Sequence, residues 1–252
     1  MEFSLFQGDC IEVMRGLPDK SVNLICCDLP YGTTNCEWDN LIDIDSLWVE
    51  YRRLLAKGGC VVLFGSMPFT ASLVVSNRQW FKDHLVWNKN KCGSPGLANI
   101  RPMRVHEDIL IFAPGKTTYN PQMTTGEPYS RKSKDPEGYV GKKNEHGYGL
   151  KPRTEFHNEG TRFPKSIVDI SRDFSAQQQV HAAQKPVPLL SWLVQTYSNP
   201  GDLVLDNAMG SGTTGVACAM TGRRFVGIDT NPEYVVLSRE RIVAAQCEVS
   251  GL

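Results

Sequence analysis

The chain has 252 residues, with 27 Lys and Arg set against 27 Asp and Glu, so its formal net charge is zero. Hydrophobic residues make up 41% of it, enough for a sizeable core, which excludes a disordered chain; the length suits one α/β domain carrying an insertion. The first apolar run, near Leu24, is short and follows Asp9, Glu12, Arg15, Asp19 and Lys20. Neither a signal peptide nor a membrane span of roughly 20 apolar residues is expected, and the reading is a soluble, cytoplasmic protein.

Taken in chain order, residues 1–112 alternate strand-like and helix-like signals. Val22–Asp28 predicts a buried strand, and Ser46–Lys57 a helix with Leu47, Tyr51, Leu54 and Leu55 on one face. Gly58-Gly59 is expected to stop that helix before a short strand, Cys60–Phe64; Trp80–Trp87 and Asp108–Phe112 are further strand candidates. Beyond Ala113 the composition turns to Pro, Gly, Lys, Tyr and Asn, and up to Gln179 only Ser166–Ile170 looks strand-like. A stretch this long without periodicity suits a specificity insertion that orders on a partner. From Pro186 the α/β pattern resumes: a helix over Val187–Tyr197, a strand at Leu203–Leu205, a helix over Thr213–Met220 and a strand at Arg224–Ile228. A last helix, Pro232–Gln246, carries Val235, Val236, Ile242 and Val243. Alternating β and α with continuous apolar strands implies a Rossmann-like, mostly parallel sheet covered on both faces. The expected organisation is one domain in two halves, residues 1–112 and 181–252, separated by an insertion at 113–180.

The eight cysteines form no CxxC and no Cys/His ligand spacing, and several sit in apolar runs, so reduced buried thiols are expected and no metal. The neutral net charge hides an asymmetry. Residues 82–165 hold fifteen Lys and Arg against nine acids, which leaves the remainder of the chain acidic. A basic segment on an acidic body suits a phosphate footprint, and a solvated loop of mixed charge is the plainer alternative.

Two motifs carry chemistry. The first is Asp206-Asn207-Ala208-Met209-Gly210-Ser211-Gly212-Thr213-Thr214-Gly215, between a predicted strand and helix. Glycines let the backbone approach a ligand, and the helix start offers N–H groups to an anion. The pattern also satisfies a dinucleotide fingerprint, with Asp229 about 20 residues on. Two features argue for another ligand: only one strand–helix unit follows, and a strand ending in Asp206-Asn207 suits a ligand with both an ammonium and a carboxylate. The methionine tail of S-adenosylmethionine has both. The second motif, Asp28-Leu29-Pro30-Tyr31, follows a predicted strand directly, where ligands of open α/β sheets bind. A base amine is a poor nucleophile, and acceptors aimed at both its N–H bonds help it pyramidalise and stabilise developing positive charge. Asp28 offers a carboxylate, the Leu29 carbonyl a second acceptor held by the turn before Pro30, and Tyr31 a ring to stack on a base flipped out of the duplex. A plain turn closing a strand is the alternative for this tetrapeptide taken alone.

Together these residues resemble the DNA amino-methyltransferases, in the circularly permuted group whose catalytic motif precedes the cofactor loop. Asp28-Leu29-Pro30-Tyr31 matches the family's Asp-Pro-Pro-Tyr at three of four positions, with Leu29 as the departure. Gly8-Asp9-Cys10 is similar to the segment that meets the cofactor adenine. Gln184-Lys185-Pro186 is similar to the segment that helps close the cofactor pocket. Asp206 to Thr214, including Ala208, Gly210, Ser211, Gly212 and Thr213, looks like the loop on the methionine end, and Gly227-Ile228-Asp229 like the ribose-binding turn. Arg104-Val105-His106-Glu107 resembles a segment near the target base.

The resemblance implies methyl transfer from S-adenosylmethionine, without a metal, to an amino group in double-stranded DNA. Within the permuted group Asp at the first motif position goes with adenine N6 and Ser with cytosine N4, so Asp28 favours adenine. Arg131, Lys132, Lys134, Lys142, Lys143 and Arg153 of the insertion are the expected DNA contacts, with Arg104 and His106. Cytosine-N4, RNA or protein-amide methylation, a nicotinamide oxidoreductase and a non-catalytic DNA-binding protein are the alternatives. The sequence leaves the oligomeric state open, a homodimer included.

Overall fold

Parallel strands need crossover connections and end up buried on both faces, and the apolar runs of this chain meet that requirement. The computed structural model describes residues 1–32, 40–93, 95–132, 155–172 and 184–251. They divide into two compact units, Met1–Asn120 with Lys165–Leu252, and Pro121–Pro164.

The larger unit runs β1 (Phe3–Gln7), α1 (Cys10–Arg15), β2 (Val22–Cys27), α2 (Ile44–Leu54), β3 (Leu55–Gly65), α3 (Phe69–Ser76), β4 (Phe81–Gly93) and β5 (Arg104–Phe112). In the smaller unit lie β6 (Thr124–Thr125), β7 (Tyr129–Lys132), β8 (Glu155–Asn158) and β9 (Thr161–Arg162). The larger unit then resumes with β10 (Ile167–Asp169), α4 (Val187–Tyr197), β11 (Leu203–Asp206), α5 (Thr213–Thr221), β12 (Arg224–Asp229) and α6 (Pro232–Ser250). Its eight strands form one sheet in the order β1-β12-β11-β2-β3-β5-β4-β10. The first five are mutually parallel, β5 runs against both its neighbours, and β10 is parallel to β4.

Side chains alternate across this sheet with period two. Leu24 and Cys26 of β2 face one core with Leu189 and Leu193 of α4, Val216 of α5 and Ile242 of α6. Ile25 and Cys27 face the other, with Met14 of α1, Leu47 and Trp48 of α2 and Leu73 of α3. The sheet is therefore sandwiched between two helical layers. None of the helices among the described residues is long and apolar enough to cross a membrane.

The chain leaves β2 towards β3 on one side and leaves β11 towards β12 on the other. The order thus reverses between β2 and β11, a topological switch point whose crevice at the strands' C-terminal ends takes ligands in open α/β sheets. The two strands register through Val204 with Leu24 and Leu205 with Ile25.

Two sequence expectations need correction. The second helix ends at Leu54 and passes straight into β3, so Gly58-Gly59 does not stop a helix but lies inside a strand. These glycines sit where the register with β2 slips between Val22 and Leu24, at an irregularity that Gly58, with φ of 80°, makes possible. The stretch read as having a single strand also holds β6 to β9, two short antiparallel pairs joined in the register Thr124 to Arg162 and Tyr129 to Asn158. Helix α6 matches the predicted last helix; it buries Ile242 and leaves Val236 and Val243 exposed. The elements β1, α1 and α3 have no counterpart among the predicted ones.

Gly59 packs so closely that a Cβ there would lie 2.6 Å from the Asn23 carbonyl oxygen of β2. Gly59→Ala should therefore force β2 and β3 apart and lower the unfolding free energy by about 1–3 kcal/mol, measurable by urea denaturation; an unchanged midpoint would show that the strand pair absorbs the methyl freely.

Candidate active site

Four aspartates mark the C-terminal edge of the parallel strands. Asp9 follows β1, Asp229 ends β12, Asp206 ends β11 and Asp28 follows β2, and these strands are neighbours in that order. Residues distant in sequence thus share one edge, and all four aspartates line a single pocket of about 750 Å³.

Each carboxylate is held in its own way. Asp9 caps α1, accepting from the Ile11 N–H at 2.9 Å and the Glu12 N–H at 3.0 Å. Asp229 accepts from the Gly210 N–H at 2.9 Å and the Asn231 N–H at 2.9 Å, which ties the glycine loop to the end of β12. Asp206 accepts from the Thr214 hydroxyl at 2.6 Å and the Ala208 N–H at 3.2 Å, closing the loop onto the start of α5. Burial pushes its carboxyl up to about 6, against the lowering effect of those donors.

The glycine loop makes a sharp passage from β11 to α5. Gly212 precedes α5 with φ of 74°, and a Cβ there would lie 2.6 Å from the side chain of Ser238 in α6, whose hydroxyl donates to the Gly210 carbonyl at 2.9 Å. Gly210 also has positive φ, but the space beside it is open, and it lines the pocket. Asn207 is buried in the loop. Its Oδ1 accepts from the Tyr51 hydroxyl of α2 at 2.6 Å, and its Nδ2 has no hydrogen-bond partner beyond the adjacent Cys10 thiol. Burial raises the Cys10 pKa although Asn207 opposes it.

At the other end of the pocket the Asp28 turn meets a group of charged side chains. Asp28 Oδ1 accepts from the Tyr31 hydroxyl at 2.8 Å, while Oδ2 pairs with the ammonium of Lys185, which precedes α4. Lys185 also lies 3.3 Å from Glu107 Oε2 of β5, and its ammonium sits 4.9 Å above the Phe64 ring. Lys89 of β4 donates to Glu107 Oε1 at 3.1 Å. Burial and the Glu107 charge push the Asp28 carboxyl up, with Lys185 opposing them. Burial acts in the same direction on Glu107, but the ammonium groups of Lys185 and Lys89 outweigh it and hold Glu107 below the usual range. Lys185, penalised by burial, is nonetheless held above its ordinary value by the two carboxylates. The Tyr31 ring stacks on Phe69 with centroids 5.0 Å apart.

The pocket is thus lined by Asp9, Cys10, Asp28, Leu29, Pro30, Tyr31, Lys185, Asp206, Ala208, Gly210, Ser211, Thr213, Thr214 and Asp229 of the residues singled out from the sequence. Gly212 supports the loop from behind instead. Arg104 and His106 also stand outside the lining. Arg104 donates to the Ser66 hydroxyl at 2.7 Å and the Met67 carbonyl at 3.1 Å, and His106 is exposed on β5. Arg131 and Lys132 are exposed on β7 of the smaller unit, Arg131 with its guanidinium 5.5 Å from the Tyr129 ring. Lys134, Lys142, Lys143 and Arg153 lie outside the described residues. Sequence reasoning set Asn207 beside Asp206 in the cofactor motif and Glu107 in the segment near the target base without giving either a contact, and it passed over Tyr51 and Lys89 as site residues. For Glu107 the available signal was an acid at the mouth of the apolar run Asp108–Phe112.

The family described as DNA methylase, of N6 and N4 type, matches residues 22–240. The chain belongs to this N6/N4 DNA methylase family. Its relatives include the DNA adenine methyltransferase YhdJ of Escherichia coli, 27% identical, with 96% of this chain and 83% of that protein aligned. Type II methyltransferase M1.MboII of Moraxella bovis is also 27% identical, over 98% of both chains. Among solved structures, M1.HpyAVI in complex with S-adenosylmethionine matches with a TM-score of 0.66 at 22% identity, covering 95% of this chain and 98% of that one. The cytosine-N4-specific PvuII DNA methyltransferase matches with a TM-score of 0.67 at 17% identity, over 100% and 93%. At such identities these two likenesses concern the fold, an α/β methyltransferase architecture.

Because Asp206 is protonated more readily in the folded chain than in the unfolded one, its contribution to stability is fully present below about pH 4 and is lost as pH rises through about 6. The loss amounts to roughly 3 kcal/mol. Melting curves of Asp206→Asn between pH 4 and 7 should lack this component of the pH slope, and a slope identical to that of the parent protein would refute it.

Proposed function

We propose that this DNA methylase transfers a methyl group from S-adenosylmethionine to N6 of an adenine flipped out of double-stranded DNA. The observation that carries the reading is the shared pocket: the Asp28–Tyr31 turn and the glycine loop leave adjacent parallel strands and line it together. Adenine is supported by Asp28 at the first position of its motif and by the adenine specificity named for the Escherichia coli relative.

The pocket fits the cofactor. Open space beside Gly210 admits a ligand against the backbone, and the buried Asn207 amide has donor capacity left for one. Gly210, Ser211, Thr213, Thr214 and Asp206 would hold its methionine end, Asp229 its ribose, and Asp9 with Cys10 its adenine, with Ala208 in the same wall. When bound, the cofactor supplies an electrophilic methyl group on a sulfonium. The rest of the chemistry falls to side chains and backbone. Asp28 and the Leu29 carbonyl accept the two N–H bonds of the target amine, orient its lone pair and stabilise the positive charge that develops on nitrogen. Tyr31 is held by Asp28 and Phe69 as a platform for the base, and Pro30 fixes the turn. The proton released after transfer goes to Asp28 or to water, so a strong base is not required beforehand.

Contacts with DNA phosphates are assigned to Arg131, Lys132, Lys134, Lys142, Lys143 and Arg153, and contacts near the target to Arg104 and His106. The organisation that goes with this reading is a catalytic half, a target-recognition insertion and a cofactor half.

Asp28→Ala should bind S-adenosylmethionine with affinity close to that of the parent chain while losing at least a hundredfold in methyl transfer, as expected for a group acting mainly on the transition state; calorimetry and a labelled-methyl assay with nucleoside analysis check both halves, and N4-methylcytosine as the product would replace the adenine assignment. For the insertion, replacing Arg131 and Lys132 together by Ala should weaken DNA binding and reduce the slope of log K against log salt by about 2. An unaltered slope would remove these two residues from the interface.

A further inference from the structure

The ammonium of Lys185 occupies an oxygen of Asp28 that the proposed reaction needs for the target amine. Asp28 Oδ1 is engaged by the Tyr31 hydroxyl and Oδ2 by Lys185. A carboxylate can accept more than one donor per oxygen, so crowding alone does not forbid the amine. Charge is the greater obstacle. The amine nitrogen becomes positive as the methyl group arrives, and an ammonium on the same carboxylate repels that charge and consumes the stabilisation Asp28 should deliver.

Glu107 offers a second seat. Its Oε1 is engaged by Lys89, but Oε2, 3.3 Å from the Lys185 nitrogen, is buried and lacks a well-aligned hydrogen-bond donor. A buried acceptor without an aligned donor is costly, so the arrangement in which Lys185 sits on Asp28 relieves that cost only in part, through the 3.3 Å ion pair. A short swing of the ammonium onto Glu107 relieves it. The Phe64 face, 4.9 Å from the ammonium, provides an apolar wall with favourable electrostatics beside the cation. The lysine is therefore placed between two carboxylates, one that it fully engages and one that it half engages.

We infer that Lys185 is a positioning residue that guards Asp28 in the free enzyme and withdraws onto Glu107 when the target amine enters, leaving Asp28 to that amine. The inference rests on the role proposed above for Asp28. It gives Glu107 a function that neither cofactor binding nor base stacking requires: it holds Lys185 away during methyl transfer. Between turnovers, Lys185 keeps the buried carboxylate paired.

Removing the second seat should trap Lys185 on Asp28. Glu107→Gln is expected to lower kcat at least tenfold, with the affinity for S-adenosylmethionine and the KM for DNA changed less than threefold. Removing the trapped cation should then restore activity. The double variant Glu107→Gln with Lys185→Met is expected to turn over at least fivefold faster than Glu107→Gln alone. A purely structural role predicts the opposite, because two losses in one buried cluster would compound. A double variant no faster than Glu107→Gln overturns the inference, as does a Glu107→Gln protein with unchanged kcat. If Glu107→Gln does not fold, Glu107→Asp, which keeps the charge and shortens its reach by one methylene, takes its place with the same two outcomes. Asp28→Ala assayed alongside separates the two failures. Methylation by that variant would discard the role of Asp28 itself, whereas an inert Asp28→Ala with no recovery in the double variant would discard the guarding role alone.

Discussion

The structure depends on one seam, the parallel pairing of β2 with β11. Only two residue pairs are in register there, Leu24 with Val204 and Ile25 with Leu205, and the Asn23 side chain adds a hydrogen bond from the Leu203 N–H at 3.0 Å across 180 residues of sequence. Backbone pairing fixes the spacing between neighbouring strands at about 4.8 Å. It therefore fixes how far apart the two strand ends can be, and with them the turn at Asp28 and the loop at Asp206. The helices on both faces keep that seam closed, and α2, α5 and α6 also brace the loop through Tyr51, Thr214 and Ser238.

Along this edge one residue type recurs four times in three kinds of surroundings. Asp9 and Asp229 are occupied by backbone N–H groups, Asp206 is desolvated and bound to its own loop, and Asp28 is balanced against a lysine. Burying a charge is costly unless partners repay it. The alternation Asp28, Lys185, Glu107, Lys89 meets that condition by letting each carboxylate face an ammonium. Such a chain stays charged inside the protein without carrying net charge, and it places its acid end in the pocket.

Much of this was legible in the sequence, and the exceptions have physical reasons. The strands ending at Asp28, Asp206 and Asp229 announced themselves because strands buried on both faces read as unbroken apolar runs, and the glycine loop because its positive φ and tight packing demand those residues. The end of α2 was misread because glycine at a strand irregularity and glycine after a helix look alike locally; the difference is set by Asn23 on the neighbouring strand. Helix α3, Phe69–Ser76, is apolar almost all round, so no amphipathic period marks it. The pairs of β6 to β9 are two to four residues long, too short for alternation to register. Partners were the least legible of all. Lys185 precedes a helix 157 residues after Asp28, and nothing in either segment names the other.

The way the smaller unit joins the larger has a consequence of its own. Just before the chain departs, Asn120 is fastened to the end of α4, its N–H to the Thr196 carbonyl and its amide to the carbonyls of Gln195 and Ser198. Just after the chain returns, Ile167 to Asp169 are stitched to β4 in register with Val86 to Asn88. Both points of attachment therefore lie in the larger unit. The anchoring contacts are thus made by residues of the larger unit, which leaves the length and composition of the stretch between them free of that duty. Because the anchors carry the pairing, descendants of such a chain can vary in that stretch and keep the same sheet.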